Sequence, residues 1–167
     1  QNQQQFAFDT RISYKLVNNI QIESILTYLE QELQATNIRV QDCPDLAILS
    51  DTHRIVRSIE NLLSTRYPNL SIITTSENQN QYDTILSHYN NNENDPRFDR
   101  DIKQLRRTKK VHFTIDTNAI KLSTIKSYKG LEAKNVVVIV EENCDPATLY
   151  TGLTRAKNNL IIINLGN

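Results

Sequence analysis

The residues best suited to chemistry in this sequence lie in two short segments near its end. The first, STIKSYKGLE (residues 123–132), places Thr124, Lys126 and Gly130 directly after an apolar run. A hydroxyl and an ammonium at a strand end can bind a phosphate, and glycine permits close backbone approach or a positive φ angle. The segment therefore predicts a phosphate- or nucleotide-binding loop, with an ordinary surface loop as the alternative.

The second segment is CDPATLYTGLTRAKNNLIII (residues 144–163). Asp145 followed by Pro146 is typical of a helix start. Gly152 lies inside this helix, where glycine costs about 1 kcal/mol relative to alanine, so a packing or contact reason is expected. Arg155 follows the helix and precedes a strand, where its guanidinium can serve either as an ordinary salt-bridge partner or as a phosphate clamp.

A third segment, RFDRDIKQLRRTKK (residues 97–110), holds seven lysines and arginines against two aspartates. Basic residues concentrated on one helix can form a contact face for nucleic acid, and this interpretation includes Arg106 and Arg107. A solvated helix face is the alternative. The segment follows NNNENDP (residues 90–96), which predicts a loop.

Composition sets limits on these interpretations. The 167 residues fit one domain or one lobe, and 19 basic residues balance 19 acidic ones, so net charge indicates no partner. No apolar run approaches the roughly 20 residues of a membrane helix, and no signal peptide is visible, which predicts a cytoplasmic protein without a membrane partner. Cys43 and Cys144 stand far apart and near no histidine pair, so we expect two reduced thiols, no disulfide and no metal site.

The elements that must position these residues alternate along the chain. Residues 1–5 predict a disordered leader, and a helix with apolar helical spacing is predicted between Val17 and Gln34. A second helix should begin at a cap formed by Asp51 or Thr52, and a third should cover Tyr82 to Tyr89. Strands are predicted at residues 6–13, 45–50, 70–75, 119–124, 135–140 and 159–164. Strands that alternate with helices indicate an α/β domain with a mainly parallel sheet.

Two of these segments resemble motifs of a known family. TIKSYKGLE (residues 124–132) resembles motif V of superfamily 1 helicases of the UvrD/Rep type, and LYTGLTRAKNNL (residues 149–160) resembles motif VI. They occur in the right order and are separated by one apolar strand. ISYKLVNNIQIESIL (residues 12–26) is similar to the motif IV region, and LAILSDTHRIVRSIENLL (residues 46–63) is similar to the strand and helix that follow it. The resemblance implies a RecA-like three-layer domain over residues 6–167, the second lobe of such an enzyme.

In this family ATP binds between two RecA-like lobes, so the resemblance implies nucleotide-binding roles. By motif position Arg155 is the arginine finger, which stabilises charge on the transferred phosphoryl group. Lys15 stands where the family usually has a second phosphate-contacting arginine; lysine keeps the charge but loses the fork. Tyr14 would stack on adenine, Glu132 would accept a hydrogen bond from the ribose, and Gly130 belongs to the nucleotide loop.

The resemblance also implies a nucleic-acid track. Thr124 and Lys126 would contact the backbone of single-stranded DNA, although the family usually has histidine at the Lys126 position. Arg106 and Arg107 lie in residues 76–118, a short connection in place of the large domain that the family often inserts. We expect these two arginines to line or approach the track.

Parts of the ATPase site have no counterpart in this sequence. It contains no phosphate-loop motif and no Asp-Glu pair after an apolar strand of the Mg²⁺-binding kind. ATP and Mg²⁺ would therefore be bound mainly by an N-terminal RecA-like lobe of the same polypeptide. We expect the chain by itself to be monomeric and to hydrolyse no ATP. A non-motor nucleic-acid-binding or regulatory module that keeps the lobe fold is the alternative.

Overall fold

The computed structural model describes residues 11–16, 21–114, 118–141 and 143–165. Within these ranges the chain forms six strands, five helices and two short 3-10 turns in an α/β order. The strands are β1 (Arg11–Leu16), β2 (Leu46–Ser50), β3 (Ile72–Thr74), β4 (Ile120–Thr124), β5 (Ala133–Val140) and β6 (Ala156–Asn164). The helices are α1 (Ile22–Gln34), α2 (His53–Arg66), α3 (Gln79–Ser87), α4 (Pro96–His112) and α5 (Pro146–Leu153), and the 3-10 turns are Val40–Asp42 and Lys126–Tyr128.

The six strands form one sheet in the order β1-β6-β5-β2-β4-β3, and every neighbouring pair is parallel. The central strands β2 and β4 are buried at every position, as expected for parallel strands covered on both faces. Because all strands run the same way, their carboxyl ends lie at one edge of the sheet and their amino ends at the other. The confirmed fold class is therefore an α/β domain, and its sheet is parallel throughout the described strands.

Two hydrophobic clusters cover the two faces of the sheet. On the first face α1 and α2 pack against the strands. That cluster includes Leu26, Leu29, Ile55, Ile59, Ile48 and Val137. On the second face the cover is thinner and consists of the Lys126–Tyr128 turn and α5. Its buried members include Leu49, Ile125, Tyr128, Val136 and Val138, with Leu149 and Leu153 partly buried against them.

Side-chain caps set the starts of four helices. The oxygen atoms of Thr52, Asn78, Asp95 and Asp145 accept backbone N–H groups of the first helical turn. Proline follows Asp95 and Asp145 at the first helical position, where its missing N–H costs no hydrogen bond. The predicted caps at Thr52 and Asp145 are confirmed.

The first strand differs from its predicted bounds. Residues 6–13 were expected to form it, but the described strand is Arg11–Leu16, where Tyr14 pairs with Ile162 of β6. The prediction for residues 6–10, like that of a leader at residues 1–5, lies outside the described residues. The first helix is described from Ile22, and the prediction for residues 17–20 also lies outside them.

The connection between β3 and β4 holds α3 and α4. The Tyr82 ring of α3 meets the Phe98 ring of α4 edge-on, with 5.3 Å between centroids. Phe98 and Ile102 are the buried residues of α4, and polar residues make up most of the remainder of that helix. The loop predicted at residues 90–96 is confirmed except at Pro96, which is the first residue of α4.

Candidate nucleotide and nucleic-acid site

Thr124 and Lys126 lie at the carboxyl edge of the sheet, where β4 ends. Thr124 is buried, and its Oγ1 accepts a hydrogen bond from the Ser127 amide at 3.3 Å. The hydroxyl therefore stabilises the turn that follows the strand. Lys126 begins that turn and is exposed, so its ammonium is the group available to a ligand.

A cleft of about 280 Å³ separates this turn from α5. It is lined by Ile125, Lys126, Lys129, Ala147, Thr148 and Thr151. Both lysines are exposed, and neither has an ion pair within the described part of the chain. Two positive charges are suited to bind a phosphate group. The hydroxyls of Thr148 and Thr151 donate locally, to Asp145 Oδ2 and to the Ala147 carbonyl.

After the turn the chain crosses the second face of the sheet towards the amino edge. Gly130 makes this crossing with a φ angle of +86°, a conformation that L side chains rarely adopt. Nothing lies within 4 Å of a Cβ placed there, so backbone conformation and not space requires this glycine. Fully buried Tyr128 donates a hydrogen bond from its hydroxyl to the Glu132 carbonyl at 3.1 Å, which fixes the end of the crossing.

Arg155 lies at the amino edge, between α5 and β6. Its Nε donates to the Thr151 carbonyl at 3.0 Å, and its Nη2 donates to Thr154 Oγ1 at 2.9 Å. Its Nη1 donates to the Leu131 carbonyl at 3.4 Å, which joins the two motif segments. All three acceptors are neutral, and Arg155 forms no ion pair within the described ranges. The guanidinium is therefore positioned without being neutralised.

The other two described nucleotide candidates are Glu132 and Tyr14. Glu132 is exposed, with its Oε2 atom 3.8 Å from the Lys157 Nζ atom. Tyr14 is 58% exposed and pairs with Ile162, which packs into the cluster of the second face. Side chains of directly paired parallel residues project to the same face, so Tyr14 belongs to the second face. The side chain of Lys15 lies outside the described residues, and its role stays a prediction.

The candidates thus form two groups at opposite edges. The eight residues of β5 separate the edges by about 23 Å at ~3.3 Å per residue. Lys126 stands at the carboxyl edge, whereas Arg155 and Glu132 stand at the amino edge. One continuous segment, residues 124–132, connects the two groups across the second face.

Gly152 has the packing reason that its helical position predicts. A Cβ at this residue would lie 3.2 Å from Ile125 Cδ1 and 3.5 Å from Val138 Cγ1. The contact with Ile125 is shorter than ordinary van der Waals distance, whereas the contact with Val138 is an ordinary one. The glycine lets α5 lie directly against the start of the motif V segment, and this holds the two motifs together.

Arg106 and Arg107 are adjacent in α4 but have different surroundings. Arg106 binds the carboxylate of Glu77 with two hydrogen bonds, from Nε at 2.7 Å and from Nη2 at 2.8 Å. Arg57 Nη1 donates to the same carboxylate at 2.7 Å, and Glu77 is fully buried. Burial alone would raise the pKa of Glu77, but hydrogen bonds and charge from Arg106 outweigh it and hold the pKa below its usual value. Arg107 is exposed and donates to Gln104 Oε1 at 2.9 Å.

A larger cleft that the sequence patterns did not reveal lies next to this ion pair, beyond the carboxyl ends of β2 and β3. Its volume is about 500 Å³, and its lining includes Asp51, Thr52, His53, Arg57, Tyr82 and Arg106. His53 Nδ1 lies 2.7 Å from Ser76 Oγ. Burial, followed by the charge of Arg106, lowers the pKa of His53 to about 4, so the ring is neutral near pH 7. In the sequence, the signal for this cleft was the polar residues that directly follow each of these two strands.

Two further searches of the described residues concern ligands and membranes. No group of histidine, cysteine, aspartate and glutamate side chains in those ranges is arranged to hold a metal ion. Within the same ranges, every helix is too short or too polar to cross a bilayer.

Comparison with known proteins places this geometry in context. Residues 120–163 match the family model of the UvrD-like helicase C-terminal domain. Among solved structures, the chain is similar to that of Mss116p DEAD-box helicase domain 2 bound to an RNA duplex, with 11% identity and a TM-score of 0.51, over 95% of this chain and 55% of that one. The C-terminal part of the Fun30 ATPase domain matches with 18% identity and a TM-score of 0.46, over 85% of this chain and 41% of that one.

The chain thus spans about half the length of these structures, and no curated protein matches the sequence significantly. The family match confirms the resemblance to UvrD-like helicases over the segment that holds both motifs, and the chain has the RecA-like fold of a helicase second domain.

Proposed function

We propose that this chain is the C-terminal motor lobe of an ATP-dependent superfamily 1 DNA helicase or translocase. It supplies an arginine to the nucleotide and part of the track for single-stranded DNA. ATP and Mg²⁺ are held mainly by an N-terminal RecA-like lobe. The observation that supports this most directly is the hydrogen bond from Arg155 to the Leu131 carbonyl, which joins the nucleotide arginine of one motif to the loop of the other.

Arg155 is suited to act on a phosphoryl group that arrives from outside this lobe. Its contact with Leu131 is the longest of its three hydrogen bonds, at 3.4 Å, whereas its contact with Thr151 measures 3.0 Å. The guanidinium can therefore exchange the Leu131 carbonyl for a phosphate oxygen while the Thr151 carbonyl keeps the side chain in place. Negative charge that develops on the transferred group is then stabilised by a positive charge already positioned for it.

The other residues that we assign to nucleotide binding are Tyr14, Glu132 and Gly130. Tyr14 presents an exposed ring on the second face, and Glu132 presents an exposed carboxylate at its amino edge. In this proposal Tyr14 stacks on the adenine, Glu132 binds the ribose, and Gly130 allows the loop to reach them. Lys15 is assigned to a phosphate by its motif position alone.

The DNA-binding part lies at the carboxyl edge. Lys126 supplies the charge for a backbone phosphate, and Thr124 stabilises the turn that presents it. Because this turn continues through Gly130 to the Leu131 carbonyl, a strand bound at one edge is mechanically connected to the arginine at the other. ATP hydrolysis that depends on DNA requires a connection of this kind.

The experiment is to measure ATP hydrolysis by the full-length protein with and without single-stranded DNA. We expect DNA to stimulate hydrolysis, and we expect Arg155→Ala to lower kcat by on the order of 10³ with a modest change in KM. Arg97→Ala is the matched control, because Arg97 is an exposed arginine paired with Asp95 at the start of α4. Absence of DNA-stimulated hydrolysis in the unmodified protein would contradict the motor function.

A second candidate is a non-motor nucleic-acid-binding or regulatory module with the same fold. It is favoured by the two departures from the family motifs, Lys15 for arginine and Lys126 for histidine. Such a module binds single-stranded DNA equally well with or without ATP. A motor lobe in the full-length protein changes its DNA affinity with the bound nucleotide, so affinities measured with and without ATP distinguish the two.

A further inference from the structure

The positive charges of α4 fall into two groups with different surroundings. The first group is neutralised by neighbouring carboxylates. It comprises Arg97 with Asp95 at 2.8 Å, Arg100 with Asp101 at 3.3 Å, Lys103 with Asp99 at 2.9 Å, and Arg106 with Glu77 at 2.7 Å. Lys109 faces Glu60. Burial raises the pKa of the Glu60 carboxyl, and the positive charge of Lys109 opposes that rise. These residues therefore have little net charge to offer a ligand.

The second group consists of Arg107 and Lys110. Both are exposed, and within the described residues neither has a carboxylate partner; Arg107 donates only to the neutral amide of Gln104. Residues three apart lie on the same face of a helix, so the two cations are neighbours. The uncompensated charge of α4 is therefore concentrated near its C-terminal end.

That end of α4 lies against the motif V turn. The helix stops at His112, and the ring of Phe113 meets the ring of Tyr128 edge-on, with 6.1 Å between centroids. Tyr128 closes the turn that carries Lys126, and Lys129 follows it. Both lysines are exposed, and neither forms an ion pair with another described residue. The contact between Phe113 and Tyr128 thus joins the end of α4 that carries Arg107 and Lys110 to the turn that carries Lys126.

We propose that Arg107, Lys110, Lys126 and Lys129 form one phosphate-binding surface for single-stranded nucleic acid. The ligand class rests on the proposed function, whereas the choice of residues rests on the charge pairing described above. Four cations that reach only phosphates bind independently of base sequence, and their affinity falls as salt increases. Arg106 stands outside this surface, because its guanidinium is bound to the buried carboxylate of Glu77.

The test uses the 167-residue chain and a fluorescent oligothymidylate, with anisotropy titrations at several salt concentrations. For single strands, each phosphate contact contributes about 0.7 to the slope of log affinity against log salt. We expect the double variant Arg107→Gln, Lys110→Gln to lose about 1.4 from that slope and to bind at least tenfold more weakly at low salt. Lys129→Gln should lose about half as much slope.

The matched control is the double variant Arg97→Gln, Lys103→Gln, which removes the same charge from the same helix but from paired residues. We expect its affinity to stay within twofold of that of the unmodified chain and its salt slope to stay unchanged. Equal weakening by the two double variants would show that binding follows overall charge and would overturn the proposal. Absence of measurable binding by the unmodified chain at low salt would overturn it as well.

Failure of this inference can be distinguished from failure of the proposed function. If the full-length protein shows DNA-stimulated ATP hydrolysis but the Arg107 and Lys110 variants bind normally, only the assigned surface is wrong. If these variants weaken binding but no DNA stimulation occurs, the surface stands and the motor function is wrong. A competition series with oligouridylate and duplex DNA reports which nucleic acid the surface prefers, and preference for the duplex over both single strands would contradict the single-strand assignment.

Discussion

Glu77 offers a sharp stability test, because it is a fully buried carboxylate between two guanidinium groups. Glu77→Gln keeps the shape of the side chain and removes its charge. Arg57 and Arg106 then share a neutral amide, and two positive charges face each other without compensation. The carboxylate also connects α2 to α4, so the position of the whole β3–β4 connection depends on it.

The expected loss of stability depends on how exposed Arg57 and Arg106 are, because an exposed guanidinium can regain hydration. Breaking a buried ion pair by removing one partner costs about 3–5 kcal/mol. The Arg57 side chain is 9% exposed and cannot regain its hydration, whereas the Arg106 side chain is 25% exposed and can regain part of it. We therefore expect a loss at the lower end of that range, about 3 kcal/mol in the free energy of unfolding.

The assay is urea unfolding of the chain, followed by far-ultraviolet circular dichroism. With an m value of about 2 kcal/mol/M, the expected loss moves the midpoint down by about 1.5 M. Glu141→Gln is the matched control, because Glu141 pairs with Arg54 at an exposed site, where such pairs contribute about 0–1 kcal/mol. A double-mutant cycle with Arg106→Gln measures the coupling between the two residues. A loss below about 1 kcal/mol for Glu77→Gln, or one equal to that of the control, would refute the reasoning.

Four further predictions concern single residues. The pKa of His53 is lowered from its usual 6.5 to about 4 in the folded chain. As the pH falls, the unfolded chain therefore takes up the proton first, and stability decreases between about pH 6.5 and pH 4. His53→Gln should reduce that fall, and coincident urea midpoints across this pH range for variant and unmodified chain would contradict it. Gly130→Ala should cost about 1–2 kcal/mol in urea unfolding, because of its φ angle of +86°, and no loss would be unexpected. Gly152→Val should cost about 1–3 kcal/mol, because the added carbons meet buried Ile125; a stabilised variant would contradict the close packing. Tyr128→Phe should cost about 1 kcal/mol and, in the full-length enzyme, raise KM for ATP more than it lowers kcat, since the lost hydrogen bond holds the Glu132 carbonyl; an unchanged KM would separate Tyr128 from nucleotide binding.

The local elements of this protein were readable from sequence because their signals are local. Asp145 followed by Pro146 marks the start of α5, and Thr52 marks the start of α2. The apolar run of β5 predicted a central parallel strand, and the structure buries it at seven of its eight positions. The two motif segments were equally readable, because each is a short run of residues in a fixed order.

The surroundings of the charged candidates could not be read in the same way. Arg106 and Arg107 are neighbours of the same type, and nothing in their local sequence distinguishes them. One helical residue turns the side chain by about 100°, which directs Arg106 to Glu77, 29 positions away, and leaves Arg107 in solvent. The depressed pKa of His53 has the same origin, since burial and the charge of Arg106 come from packing against distant elements.

By itself the sequence determined the element types, the parallel α/β class and the two motif segments, because hydrophobic period, caps and short motifs act over a few residues. Tertiary structure decided where these segments stand relative to each other. It placed Lys126 at the carboxyl edge and Arg155 at the amino edge, and it joined the segment that carries Lys126 to Arg155 through the Leu131 carbonyl. It also decided which cations of α4 remain uncompensated, because electrostatic pairing depends on distances in space that the order of residues does not specify.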